Sequence, residues 1–195
     1  MEATAIFFTE YKQIFVIAHV FSVVCGMGSA IVSDVLFNVY IKDKKINPTE
    51  HATLEVISRI IWGSLALIVL TGVALFLSDP VAYANSAKFL LKVAIVAVII
   101  INGFMFWKIT HKSLKHINFT DTDINNKYVR IRKLSFAFGA ISLVSWLTVF
   151  ILGSISSIPV SLGVGAGIYA GIVLFAIIAS QVMEYFITHK KETLN

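Results

Sequence analysis

The side chains of this 195-residue sequence with the most capacity for chemistry are few, and several stand inside apolar runs: His19, Lys92, Asp34, Glu55, Arg59 and Glu184. Ionisable groups at membrane depth are costly, which makes each a functional candidate by default. His19 falls five residues into an apolar run at 14–40. A lone imidazole there is either a hydrogen-bonded packing group or an axial ligand to a haem iron. Lys88 and Lys92 open a later run, one helical turn apart. At ~1.5 Å rise per residue, Lys92 comes to a depth close to that of His19, with Lys88 at the surface above it. Both lysines are therefore placed to pair with the propionates of a haem b. With no second intramembrane histidine, the iron would be five-coordinate or take Lys92 or Met27 as a weak sixth ligand. Ser22, Gly26, Ala30 and Ser33 continue the His19 face. A stripe so small admits either a flat cofactor, with Ser22 and Gly26 beside it, or a closely packed helix.

A second polar set lies towards the other end of the runs. Asp34 is late in the first, Glu55 and Arg59 are early in the second, and Gln181 and Glu184 are late in the last. Glu55 and Arg59 are four apart, the spacing of a pair along one helix face. Asp34, Glu55 and Arg59 are expected to form a structural cluster that neutralises the arginine, since an unpaired Arg in hydrocarbon costs several kcal/mol. A sharper reading is a proton or cation path with its inner mouth at Asp34 or Glu184. His51, His111, His116 and His189 fall in polar segments without metal-ligand spacing and read as solvated. Cys25 is the single cysteine, which excludes an intramolecular disulfide and a thiolate metal cluster. Trp107, next to Lys108, reads as an interfacial anchor, and Trp62 and Trp146 as core.

The elements that must position these residues follow from composition. Hydrophobic residues make up 57% of the chain and charged residues 14%, with mean hydropathy +0.85. A soluble domain carries roughly 25% charged residues. Five apolar runs, about 14–40, 54–77, 89–107, 134–155 and 160–187, are each long enough to cross a bilayer. The expected fold is an all-α five-transmembrane-helix bundle forming a single domain over 1–195. Asn47-Pro48-Thr49-Glu50 has the form of a helix start, and Asp79-Pro80 that of a helix end. The stretch 108–133 is the longest connection, with Thr120-Asp121-Thr122-Asp123 as a cap for the fourth span. Twelve of the sixteen Lys and Arg fall in 42–45, 108–133 and 190–191, which five crossings place on one side. The positive-inside rule puts that side in the cytoplasm, with the N-terminus outside and the C-terminus inside. The formal charge of +5 is thereby topological and implies no nucleic-acid partner. Lacking a basic n-region and a cleavage site, the first run reads as a retained helix, and the whole as a protein of a bacterial inner membrane.

Three stretches carry a family resemblance. Ile17-Ala18-His19-Val20-Phe21-Ser22-Val23-Val24-Cys25-Gly26-Met27-Gly28 resembles the opening helix of copper-resistance protein D (CopD)-like and HemJ-like membrane proteins. Ser86-Ala87-Lys88-Phe89-Leu90-Leu91-Lys92-Val93-Ala94-Ile95 is similar to a later helix start in that group, and Thr71-Gly72 to a recurring Ser/Thr-Gly. HemJ-like proteins are protoporphyrinogen oxidases that bind haem b and rely on a first-span His and a later Lys. The resemblance implies those roles for His19 and Lys92, with Lys92 as the catalytic position. The chain departs from the group in having five spans rather than four and Ser33-Asp34 where a Trp and an Arg follow the family's His. CopD-like proteins are associated with copper, for which this chain has no Met- or His-rich cluster.

The expectation is a haem b-binding, iron-dependent redox protein of the membrane. It would transfer electrons or oxidise a quinone- or porphyrin-like substrate from the lipid, working with a redox partner or as a homo-oligomer. Two rivals use the same residues differently. A transporter of a small solute, metal ion or proton would line its path with His19, Lys92, Asn102, Asp34 and Glu184. A non-catalytic partner subunit would pack through the Gly26/Gly28 and Gly163/Gly165/Gly167/Gly171 faces.

Overall fold

The computed structural model describes residues 2–40, 47–114 and 124–189, with side chains over 6–40, 47–109 and 129–186. All the described secondary structure is helical, in the order α1 (Glu2–Glu10), α2 (Lys12–Tyr40), α3 (Pro48–Ser78), α4 (Pro80–Ala84), α5 (Ala87–Leu114), α6 (Ile124–Ser154) and α7 (Leu162–His189). Five of these contain stretches long and apolar enough to cross a membrane: Lys12–Tyr40, Pro48–Ser78, Ala87–Ile109, Val129–Ser154 and Leu162–Phe186. Bilayer residence explains an outer surface on which Ile17, Phe21, Leu70 and Phe175 are all at least 65% exposed.

Local chemistry sets several helix ends. Asn47 and Glu50 form a reciprocal capping box: the Glu50 N–H donates to Asn47 Oδ1 and the Asn47 N–H to Glu50 Oε2, each at 2.9 Å, with Pro48 as the first helical residue. Asp79 ends α3 and caps α4, accepting from the Ala82 N–H at 3.1 Å. The helices outrun the apolar segments. α3 begins at Pro48 rather than 54, α5 continues to Leu114, and α6 starts at Ile124. The expected loop 108–133 is thus largely helix, because polar residues satisfy a helical backbone as well as apolar ones once outside the hydrocarbon. The 31 residues of α3 span about 46 Å, beyond a ~30 Å hydrocarbon layer. The Thr120-Asp121-Thr122-Asp123 cap lies outside the described residues, as do Lys42, Lys44, Lys45, His116, Lys190 and Lys191.

Packing divides the bundle into an α2–α3 hairpin and an α5–α6–α7 group, joined along a seam between α2 and α6. Gly26 makes the seam: a Cβ there would lie 2.5 Å from Trp146 Cη2, so only hydrogen fits. Around Trp146 gather Val23, Leu65, Ile68, Ile95, Ile99 and Val149, with Ile95 fully buried. α7 is held by the Arg132–Glu184 ion pair, by the Gln181 side-chain amide donating to the Lys133 carbonyl at 3.0 Å, and by Ser145 and Tyr169 hydroxyls 2.7 Å apart. Gly165 seats α7 on Leu91, while Gly163, Gly167 and Gly171 face open space.

Candidate functional site

The polar residues of the spans fall into two sets, one near the connections 79–86 and 155–161 and one towards the opposite end of the bundle. At the first, α2 and α3 bring His19 against Thr71, with 2.8 Å between Nδ1 and Oγ1. The Thr71 oxygen also sits 2.6 Å from the Leu67 carbonyl and 3.2 Å from that of Ile68. A hydroxyl has one proton, and here it goes to the carbonyls of its own helix. The lone pairs left on Oγ1 are then available to His19, an arrangement that suits the tautomer with the imidazole proton on Nδ1. Gly72 leaves room for the ring, its absent Cβ standing 3.7 Å from His19 Cε1. Lys92 on α5 is the charged group that acts on the imidazole, and Lys88 acts in turn on Lys92.

Lys92 lies within electrostatic reach of His19, and the other cofactor candidates are engaged elsewhere. Lys88 Nζ donates to the carbonyls of Ile155 and Ser156, just past the C-terminal end of α6. The Ser22 hydroxyl, 1% exposed, bonds the Ala18 carbonyl one turn back at 2.6 Å. Gly26 is covered by Trp146. The small-residue stripe of α2 is therefore, at Gly26, a helix-packing surface.

At the opposite end a cavity of about 620 Å³ opens between α2, α3, α5 and α6, where α3 and α5 make little direct contact. Its walls include Phe37, Phe106, Phe138 and the chain's three tryptophans, with Asp34 and Asn102 among its polar groups. His19 and Lys92 do not line it; Ile68 and Ile95 belong to the core, which meets the cavity at Trp146. Glu55 and Arg59 do line it, as an i,i+4 pair 2.8 Å apart whose side chains are 53% and 73% exposed. Asp34 takes no part in that pair. Glu55 and Arg59 satisfy each other along one face of α3, whereas Asp34 on α2 is turned towards α6, where a Cβ on Gly139 would come within 3.3 Å of Oδ1. The expected three-residue cluster is thus a pair and a separate carboxylate.

Glu184, the other candidate for a path mouth, is 3% exposed and held by Arg132. Reading 108–133 as loop obscured that partner. The available signal was Glu184 itself: a carboxylate in an apolar helix demands a cation from another element. Asn102 donates its amide N–H to the Phe138 carbonyl at 3.0 Å, tying α5 to α6. Among the described residues no three His, Cys, Asp or Glu side chains gather as a metal cage. No family model, curated protein or solved structure matches this chain.

Proposed function

We propose that this integral membrane protein binds a b-type haem through His19 and works as a redox protein. The observation that carries the reading is the 2.8 Å contact of His19 Nδ1 with Thr71 Oγ1, which in the Nδ1–H tautomer would leave Nε2 as the ligating atom. Histidines that ligate metals nearly always donate their other ring N–H in this way, fixing tautomer and orientation. The donor set fits in part. His19 supplies the ligand atom and Lys92 the cation for a propionate or an anionic substrate, while Lys88, Ser22 and Gly26 are engaged in holding the bundle together. When bound, haem would supply a one-electron Fe(III)/Fe(II) couple. Thr71 would hold the imidazole in its ligating tautomer, and the helices on either side would keep bulk water away.

The substrate class that suits a site flanked by lipid-facing helices is apolar and quinone- or porphyrin-like. Protoporphyrinogen oxidation is the activity implied by the resemblance of the His19 and Lys92 stretches to HemJ-like proteins. The distribution of Lys and Arg supports an inner-membrane orientation with the N-terminus outside. Gly163, Gly167 and Gly171, four residues apart and open, would suit contact with a redox partner or a second copy.

The test is the visible spectrum of the purified protein expressed with ample haem supply, before and after dithionite. A Soret band that shifts on reduction, with sharpened α and β bands, is the expected result, and His19→Ala should remove it. A colourless protein, or an unchanged spectrum in His19→Ala, would overturn the assignment.

A further inference from the structure

We propose that the cavity between α2, α3, α5 and α6 binds a small organic ammonium ion with an apolar body, its cation on the Asp34 carboxylate and its body among the aromatic walls. The site is separate from His19 and stands independently of the haem reading.

Charge comes first. Arg59, the arginine on the lining, is paired with Glu55, so the pair adds no net charge. Asp34 makes no ion pair or side-chain hydrogen bond with any described residue and lies on the lining. An intramembrane carboxylate without a cation is costly, and a cationic ligand would relieve that cost. Asn102, another polar group of the lining, spends one amide N–H on Phe138 and offers its carbonyl oxygen to a donor. An ammonium group, which only donates, matches both.

The walls choose the rest of the ligand. Trp62 and Phe138 present aromatic surface, and a cation is attracted to such faces. A volume of about 620 Å³ falls within the roughly 300–1,000 Å³ of small-molecule sites. It far exceeds a bare metal ion, and the described residues offer no carboxylate and imidazole cage to hold one. A carbon-bearing monocation is what fits both the charge and the space.

All three tryptophans line this cavity, so intrinsic fluorescence reports on it. The full-length protein in nanodiscs would be titrated with 4-phenylbutylammonium and, as a neutral match, 4-phenylbutanol. The expected result is a saturable fluorescence change with the amine and at least tenfold weaker binding of the alcohol. Asp34→Asn, close in shape to the native residue, should weaken the amine at least tenfold and leave the alcohol unaffected. Gly103→Leu grows a side chain beside Trp62, where a Cβ would sit 3.6 Å from Cζ2, and should abolish both responses. His19→Ala should keep them, so a failed haem assignment and a failed cavity assignment are distinguishable. Equal affinity for amine and alcohol, undiminished amine binding in Asp34→Asn or Gly103→Leu, loss of binding in His19→Ala, or no saturable response would each overturn the proposal.

Discussion

His19 owes its chemistry to a residue 52 positions away. Its depth and its kinship with Lys92 are legible from spacing along two helices, because rise per residue is nearly constant. Its tautomer is not, since that depends on where the Thr71 proton goes, and Thr71 meets His19 only after α2 packs on α3. Thr71→Val removes the acceptor while keeping the shape. Haem affinity, followed by titration at the Soret band, should then fall about 10–100-fold, the usual cost of losing such a supporting hydrogen bond. Thr71→Ser should restore most of it, because the hydroxyl returns with its helix carbonyl still in reach. Asp34 shows the same limit. Its position in the first span was readable, but its separation from Arg59 was decided by Arg59 finding Glu55 on its own helix.

Among the elements, starts written in local chemistry were the easiest to read. The Asn47–Glu50 capping box is formed as its four-residue pattern implies, and Asn47→Ala should cost about 1 kcal/mol of stability. Helix ends beyond the apolar runs were harder, because hydropathy marks the hydrocarbon layer and not the extent of backbone hydrogen bonding. The same difference hid the tie between α6 and α7. Arg132 reads as one of many basic residues in a connection, yet it lies on α6 and meets Glu184, with side chains only 13% and 3% exposed. Arg132→Met would take this cation from a buried carboxylate, at a cost of about 3–5 kcal/mol. Arg132→Met/Glu184→Met, which removes both charges, should recover much of that loss. Thermal unfolding of the two variants in detergent checks the order.

At the level of the whole molecule, the seam between the α2–α3 hairpin and the α5–α6–α7 group controls how the two polar regions relate. Gly26→Ala drives a methyl into Trp146, and overpacking of this kind costs typically about 1–3 kcal/mol. In a Trp146→Phe background, where the ring is shorter, the added penalty of Gly26→Ala should largely disappear, a coupling that a double-mutant cycle of thermal unfolding would expose. Orientation is tested separately. With Cys25 replaced by Ala, a cysteine introduced at Ala82 should react with an impermeant thiol reagent added to whole cells, as an N-terminus-outside topology requires; protection until lysis would reverse that topology. The sequence by itself determined five helices long and apolar enough to cross a membrane, and their order, because hydrophobic length is a property of a single helix. Tertiary structure alone decided that Trp146 occupies Gly26, that Arg132 neutralises Glu184, and that Asp34 looks into an aromatic cavity. Those outcomes rest on which faces of different helices meet, and any one helix offers several faces that hydrophobicity ranks almost equally.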